Sequence, residues 1–315
     1  MRNLIRAGFI RYMRRIYTWG AFLVSFALGI LTMEEAVKYE MHSGEIYYYF
    51  APDLGFFILI MFIAVILTVL NIGSEFGSGA VRNKLIAGYT KIQIYVSELI
   101  LSLTLAAVAF LLYYLPLLII KISYLEVLGF LLGASLLLLL CVLSVTAMAV
   151  FFCFVIKNHI VDAVIVIMMI VCMTIIRDEV YNKLQRPEFF TLYTYEDGHE
   201  VTMYSEPDTM KTPDDVISVS KVKNSFYIGG IKRDILTFIF EADPYTAVVD
   251  CGDYIRNGYS RATLTNNLPE NIASREAKER EKQLNRMKRE IAYNAGILVV
   301  FSVLGILIFR KRNIK

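Results

Sequence analysis

The sequence predicts an all-α polytopic membrane protein with six transmembrane helices, cytoplasmic N- and C-termini, and a small α+β extracytoplasmic module between helices five and six. Three observations support this fold class. The 315 residues are 57% hydrophobic and only 19% charged, with a mean hydropathy of +0.54. Several apolar runs approach or exceed the roughly 20 residues that a membrane-spanning helix needs. One long polar stretch, residues 177–292, stands apart from these runs.

The N-terminal sixteen residues have helical spacing. Apolar side chains such as Phe9 and Met13 fall on one face, and Arg11, Arg14 and Arg15 fall largely opposite. This pattern predicts a helix lying in the headgroup region with its apolar face toward the lipid. Alternatively, the arginines serve only to orient the chain, because Lys and Arg accumulate in short cytoplasmic loops. Both interpretations place the N-terminus in the cytoplasm.

Six spans follow from the apolar runs. Tyr17 and Trp19 are typical interfacial anchors at the start of the first span, and Pro116 is expected to kink the outer end of the third. Lys and Arg accumulate on the cytoplasmic side of the predicted spans, and this bias sets the orientation of the chain. Arg286, Lys288 and Arg289, just before the last span, would lie outside and do not follow the bias. They belong to a long region, and long regions translocate largely regardless of charge. The spans are predicted at residues 17–32, 54–72, 93–120, 127–156, 160–176 and 293–309.

Three domains result: residues 1–176 with the interfacial helix and five spans, residues 177–292 as the outer module, and residues 293–315 with the last span and a basic tail. Within the module, residues 189–205 alternate in polarity around Asp197-Gly198, which predicts a β-hairpin. Residues 216–222 supply a candidate third strand. Short amphipathic helices are expected at 231–240 and 245–255, and a charged helix at 269–290 is expected to continue into span six.

The stretch that organises the chain is residues 73–95, GSEFGSGAVRNKLIAGYTKIQIY, here called the elbow. It is polar and basic, and it lies between two long apolar runs. Arg82, Lys84 and Lys91 place it in the cytoplasm. Because it is too short to fold alone, we interpret it as a shaped surface that docks a cytoplasmic partner. The alternative is that its basic residues only fix the topology.

Residues 74–100 resemble the segment between spans two and three of bacterial ABC transporter permeases of the type-2 exporter class. A second block, residues 224–248, is similar to the stretch ahead of the last span in the same permeases, although Tyr245-Thr246-Ala247 stands where a Gly-Gln usually follows the proline. The first block matches the family pattern at Glu75, Phe76, Ser78, Gly79, Arg82, Asn83, Lys84, Leu85, Gly88 and Tyr95.

This resemblance implies that transport and ATP hydrolysis are carried out by separate subunits. The chain would form the path across the bacterial cytoplasmic membrane, together with a second copy or a homologous permease, in contact with membrane lipids. Two cytoplasmic ABC ATPase subunits would bind ATP and Mg and supply the energy. The residues that would dock an ATPase are Glu75, Phe76, Ser78, Gly79, Arg82, Asn83, Lys84, Leu85 and Gly88.

From the residues themselves we expect that this chain is not an enzyme. They contain no G-x-x-x-x-G-K-[ST] phosphate loop, so we expect ATP hydrolysis in a separate subunit and no cofactor in this one. His42, His159 and His199 are far apart in sequence, which favours neither a metal site nor catalysis. The net charge of +3 gives no reason to expect nucleic acid.

Two acidic residues lie within a turn or two of the cytoplasmic ends of predicted spans. Glu98 and Asp162 are either helix-start acids stabilised by the dipole or parts of an inner gate, paired with Lys157 or Arg14. The expected cargo is an amphipathic peptide, a lipid-like compound or a drug. The alternative function is a non-transporting membrane sensor or peptide-immunity protein whose outer module binds a ligand.

Overall fold

The computed structural model describes residues 1–43, 54–121, 125–156, 159–195, 200–203, 216–251 and 270–311. Its helices are α1 (Arg2–Met13), α2 (Ile16–Ser43), α3 (Leu54–Gly77), α4 (Ala80–Ile86), α5 (Lys91–Lys121), α6 (Leu125–Val155), α7 (His159–Leu184), α8 (Ile231–Ala242), α9 (residues 244–251) and α10 (Glu270–Lys311). Its strands are β1 (Phe189–Tyr195), β2 (Glu200–Met203) and β3 (Val216–Lys223). The chain divides into two compact units, Met1–Thr174 with Glu241–Lys315, and Ile175–Phe240.

Five of the described helices are long and apolar enough to cross a membrane. The protein is therefore a helical, multi-pass membrane protein, as its composition predicts. Four of these stretches coincide with the first four predicted spans, and the fifth contains the predicted last span. Their bounds are Ile16–Glu34, Phe56–Gly77, Lys91–Pro116, Gly133–Val155 and Leu284–Lys311.

The span expected at residues 160–176 lies in α7, which is not one of these five. Asp162 and Arg177 limit the uncharged part of this helix to residues 163–176, about 21 Å at 1.5 Å per residue, against a hydrocarbon core of about 30 Å. The helix is nevertheless 26 residues long and exposes apolar side chains such as Val164 and Met168. The sixth crossing therefore stays a prediction.

An aromatic cluster joins four helices at the elbow end of the first unit. The ring centroid of Phe154 on α6 lies 4.8 Å from that of Tyr95 on α5, 4.6 Å from Phe309 on α10 and 5.3 Å from Phe76 on α3. The ring planes cross at 65–80°, the edge-to-face arrangement that aromatic pairs prefer. Phe76, one of the predicted docking residues, thus belongs to the core.

Two glycines let helices approach closely in this unit. A Cβ at Gly305 of α10 would lie 1.9 Å from the hydroxyl oxygen of Tyr95 on α5. A Cβ at Gly29 of α2 would lie 2.2 Å from the carbonyl oxygen of Tyr113 on α5. Small residues allow such contacts between membrane helices, so these positions fix how α2 and α10 pack on α5.

The second unit contains a three-stranded antiparallel sheet in the order β2-β1-β3. Thr191 at the centre of the register pairs with Met203 on one side and Lys221 on the other. Asn224 follows β3 and donates its side-chain amide to the carbonyl of Pro187, while its amide oxygen accepts the backbone N–H of Phe226. The alternating runs at 189–205 and 216–222 correspond to these strands; Asp197-Gly198 lies outside the described residues.

Candidate functional site: a buried ion network at the elbow

The elbow is a short helix held between two longer ones. Gly79 precedes α4 with φ +69° and Gly88 follows it with φ +88°, left-handed conformations that glycine adopts without a steric penalty. Thr90 and Gln93 then cap α5 reciprocally: each side-chain oxygen accepts the other residue's backbone N–H, the arrangement of a capping box. The two ends of the 23-residue stretch therefore belong to α3 and α5, and residues 78–90 between them fold as a turn, α4 and a second turn.

Lys84 lies on the inward face of α4. Its ammonium is 2.6 Å from the Glu98 carboxylate on α5 and 2.9 Å from the Glu75 carboxylate on α3. Both glutamates are only 1% exposed, and Lys84 is 7% exposed. Because a charge is stable in a protein interior only when it is paired and hydrogen-bonded, this one side chain joins α4 to the two helices that flank it.

Two arginines from the N-terminal segment complete the shell around Glu75. The Nη1 of Arg11 on α1 donates to both carboxylate oxygens of Glu75, at 2.5 and 2.6 Å, and the guanidinium of Arg15 lies 3.7 Å from the same carboxylate. Arg15 also donates to the side-chain and backbone oxygens of Asn71 on α3. Glu75 thus receives three cations, two of them from the N-terminal segment.

Tyr12 connects the N-terminal helix to the same network from the other side. Its hydroxyl donates to the Glu98 carboxylate, and its side chain is fully buried. Burial and the neighbouring Glu98 raise the pKa of Tyr12 well above its ordinary value, so the phenol keeps its proton and remains a donor. The network therefore spans α1, α3, α4 and α5.

The outward face of α4 is exposed to solvent, unlike the inward face that carries Lys84. Arg82, Asn83 and Ile86 are exposed, and Ile86 is 75% exposed. Ile86 is the last residue of this seven-residue helix, and single exposed apolar residues do occur on protein surfaces. The helix thus presents Ile86 beside a cation and an amide while its other face is anchored.

The structure separates the predicted docking residues into two groups. Glu75, Lys84 and Phe76 point inward, and Leu85 is half-buried against the core. Ser78, Arg82, Asn83 and Gly88 are exposed, with Gly79 half-buried at the turn. Only the second group can meet a partner in this conformation, and docking itself stays a prediction.

The structure places the two candidate gate residues, Glu98 and Asp162, on different helices, α5 and α7. Glu98 contacts Lys84 and Tyr12, whereas Asp162 is buried in the first turn of α7. Lys157, a suggested partner, lies outside the described residues. Sequence reasoning missed Tyr12 as a partner of Glu98, and it missed Arg11 and Arg15 as partners of Glu75. No local sequence signal pointed to these pairs, because the contact between Arg11 and Glu75 joins positions 64 residues apart.

A second set of ion pairs lies on α10. The Arg289 guanidinium donates to both carboxylate oxygens of Glu241, at 2.6 and 2.9 Å, and Arg286 contacts Asp250 and the buried Glu290. These pairs hold α10 to α9 and to the end of α8. In the part of the chain that the structure describes, no three His, Cys, Asp or Glu side chains converge as metal ligands.

Comparison with protein-family models, curated proteins and solved structures found no match to this chain.

Proposed function

We propose that this chain is a membrane-spanning permease subunit of an ATP-driven exporter of the type-2 ABC class, and that it docks a separate ATPase through α4. It crosses the bacterial cytoplasmic membrane six times, with α7 as the fifth crossing and both termini inside. Residues 177–292 form its outer α+β module. A second copy or a homologous permease completes the path for an amphipathic peptide, a lipid-like compound or a drug.

The observation that carries the proposal is the two-sided construction of α4. Its inner face is fixed to α3 and α5 through Lys84, and its outer face exposes Ile86 beside Arg82. An apolar anchor rimmed by polar groups is typical of protein interfaces. A rigid lever with one free face and one anchored face suits a subunit that is moved by another protein.

The ion network supplies a physical route for that movement. A partner that displaced α4 would move Lys84, which contacts the carboxylates of α3 and α5 at 2.9 and 2.6 Å. Separating a buried charge from its partners is strongly unfavourable, so these helices follow α4 rather than let the contacts break. Arg11 and Tyr12 would draw the N-terminal helix with them.

The experiment is coexpression of this chain with candidate cytoplasmic ABC ATPases, followed by purification and an ATPase assay in lipid nanodiscs. The test variant is Arg82→Glu/Ile86→Glu, because both side chains are exposed and their loss leaves the buried network intact. We expect the wild type to copurify an ATPase whose activity depends on this chain, and we expect the variant to lose it. The matched control is Lys221→Glu, a charge reversal at an exposed position of β3.

Two results would overturn the proposal. One is an ATPase that remains bound and coupled in the Arg82→Glu/Ile86→Glu variant. The other is the absence of any copurifying ATPase while the wild type still binds a peptide through residues 177–292, which would favour a sensor or immunity protein.

A further inference from the structure

A groove of about 530 Å³ runs along α3 in the first unit. Its floor is the face of α3 from Val65 to Gly77 with the following Ser78, and its walls are Tyr17 of α2 together with Ala163 and Ile167 of α7. The volume falls within the range of small-ligand sites in proteins, roughly 300–1,000 Å³. None of the charged side chains of the network lines the groove. The network reaches the groove where Arg15 donates a hydrogen bond to Tyr17, which does line it.

The groove is amphipathic along its length. Val65, Ile66 and Val69 line one end, and Ser74 and Ser78 line the other. Tyr17 lines the groove between them, because its hydroxyl lies 3.0 Å from the side-chain oxygen of Asn71. From Val65 to Gly77 the helix advances twelve residues, about 18 Å at 1.5 Å per residue. A long, narrow and mainly apolar space with one polar end matches an extended hydrocarbon chain that carries a polar head.

The polar end of the groove is also positively charged. Arg15 donates to the Tyr17 hydroxyl at 2.6 Å, and Arg14, the preceding residue, is exposed. The network behind Arg15 contains three cations, Arg11, Arg15 and Lys84, against two carboxylates. The surplus charge complements an anion at this end rather than a neutral or cationic group.

The depth of the polar end agrees with a lipid headgroup. Tyr17 and Trp19 stand at the start of the first candidate span, where aromatic side chains settle at the membrane interface. The Tyr17 hydroxyl contacts Asn71, and Val65 at the apolar end is six residues, about 9 Å, further along α3, where it lies among the acyl chains.

We propose that this groove binds one anionic glycerophospholipid from the leaflet on the elbow side, with an acyl chain along α3 and the phosphate at Arg15 and Tyr17. The lipid would hold α2, α3 and α7 together beside the network. The inference concerns a resident membrane lipid and does not depend on ATPase docking or on transport.

The test uses tryptophan quenching by lipids with brominated acyl chains. The chain has a single tryptophan, Trp19, which is 59% exposed and does not line the groove. Trp19→Phe/Leu70→Trp moves the reporter to an exposed groove residue. Each protein is placed in phosphatidylcholine nanodiscs with a small fraction of brominated phosphatidylglycerol or brominated phosphatidylcholine.

We expect brominated phosphatidylglycerol to quench the Leu70→Trp reporter as strongly as if its concentration in the groove were about five times its bulk fraction. A roughly five-fold enrichment is the preference for an anionic lipid that one interfacial cation confers. Brominated phosphatidylcholine should quench according to its bulk fraction, and native Trp19 should show a much smaller preference. Adding Arg15→Gln should remove the enrichment, and Ala163→Phe should reduce quenching by both lipids because it fills the groove. The matched control is Arg6→Gln, which removes one exposed charge from α1 away from the groove.

Equal quenching by the two lipids at the groove reporter would overturn the proposal. So would an equal loss with Arg6→Gln and Arg15→Gln, since that result indicates only a diffuse attraction to a basic helix. If the reporter variant does not fold, native mass spectrometry of the wild type decides: we expect one phosphatidylglycerol, and no phosphatidylcholine, to stay bound. Failure of ATPase docking would leave all these outcomes unchanged.

Discussion

The ammonium of Lys84 lies 2.6 Å from the carboxylate of Glu98, and both side chains are almost completely excluded from solvent. The two residues are fourteen positions apart, one on the short elbow helix and one on a membrane-crossing helix. Since Glu75 lies 2.9 Å from the same ammonium, removing Lys84 would leave two carboxylates buried close together. We therefore expect Lys84 to contribute more to the stability of the fold than the exposed Arg82 does.

Replacing Lys84 by Met should destabilise the protein by about 3–5 kcal/mol, the usual cost of breaking a buried ion pair from one side. Adding Glu98→Gln should recover part of that loss, because it removes one of the stranded charges; the two changes are then non-additive. Equilibrium unfolding in detergent micelles measures both. Arg82→Gln on the exposed face of the same helix is the control and should change stability by less than about 0.5 kcal/mol. Additive single effects would contradict the direct contact.

Tyr12→Phe should cost about 1–3 kcal/mol near pH 8, because the buried Glu98 loses a hydrogen-bond donor. The difference from wild type should shrink above about pH 10, where a tyrosine in the unfolded chain ionises. The folded-state pKa of Tyr12 is raised by burial and by Glu98, so its stabilising contribution is complete below pH 10 and falls as the pH rises toward that folded-state value. A difference that stays constant between about pH 8 and 11 would show that Tyr12 is not buried beside Glu98.

Gly29→Ala should destabilise the packing of α2 on α5. The new Cβ would lie 2.2 Å from a backbone carbonyl of Tyr113, which cannot move aside as a side-chain end can, and overpacking of this kind typically costs about 1–3 kcal/mol. Gly20→Ala on the same helix meets nothing within 4 Å and should be neutral or slightly stabilising. Thermal unfolding of the two variants compares them directly. Equal melting temperatures would contradict the close approach of α2 and α5.

Cys172 offers a test of whether α7 crosses the membrane. It is the exposed one of the four cysteines, while Cys141, Cys153 and Cys251 are buried; burial also raises the pKa of the Cys251 thiol, which lowers its reactivity. If α7 spans the bilayer, a charged thiol reagent should fail to label Cys172 from either side of sealed vesicles and should label it after solubilisation.

Ser78→Cys in a Cys172→Ser background is the control for that labelling. Ser78 is exposed at the elbow, so it should react from one side only. Labelling of Cys172 in intact vesicles would place this part of α7 in water and leave five crossings.

The sequence was sufficient for the features that depend on local pattern. Apolar runs identified the five candidate spans, because about 20 consecutive apolar residues in a helix match the thickness of the hydrocarbon core and satisfy their own backbone hydrogen bonds. Alternation in polarity predicted strands within residues 189–205 and 216–222, where the structure has β1, β2 and β3, since side chains on a strand point to opposite faces. The charged helix before the last span continues without a break in α10, as its helical spacing predicts.

The sequence alone did not reveal how the charged residues pair. Glu75 and Lys84 read as surface residues because they sit in a short polar segment, yet tertiary packing buries both. The contact between Arg11 and Glu75 joins residues 64 positions apart, a separation at which no periodic pattern carries information.

The amino-acid sequence by itself thus determined that this chain is a helical membrane protein with a basic elbow between two spans, because hydrophobicity and turn chemistry are properties of neighbouring residues. Only the tertiary structure decided which face of the elbow is free and which is anchored. The physical reason is that a buried charge requires a partner, and the partners of Lys84 and Glu75 come from helices that the chain brings together only when it folds.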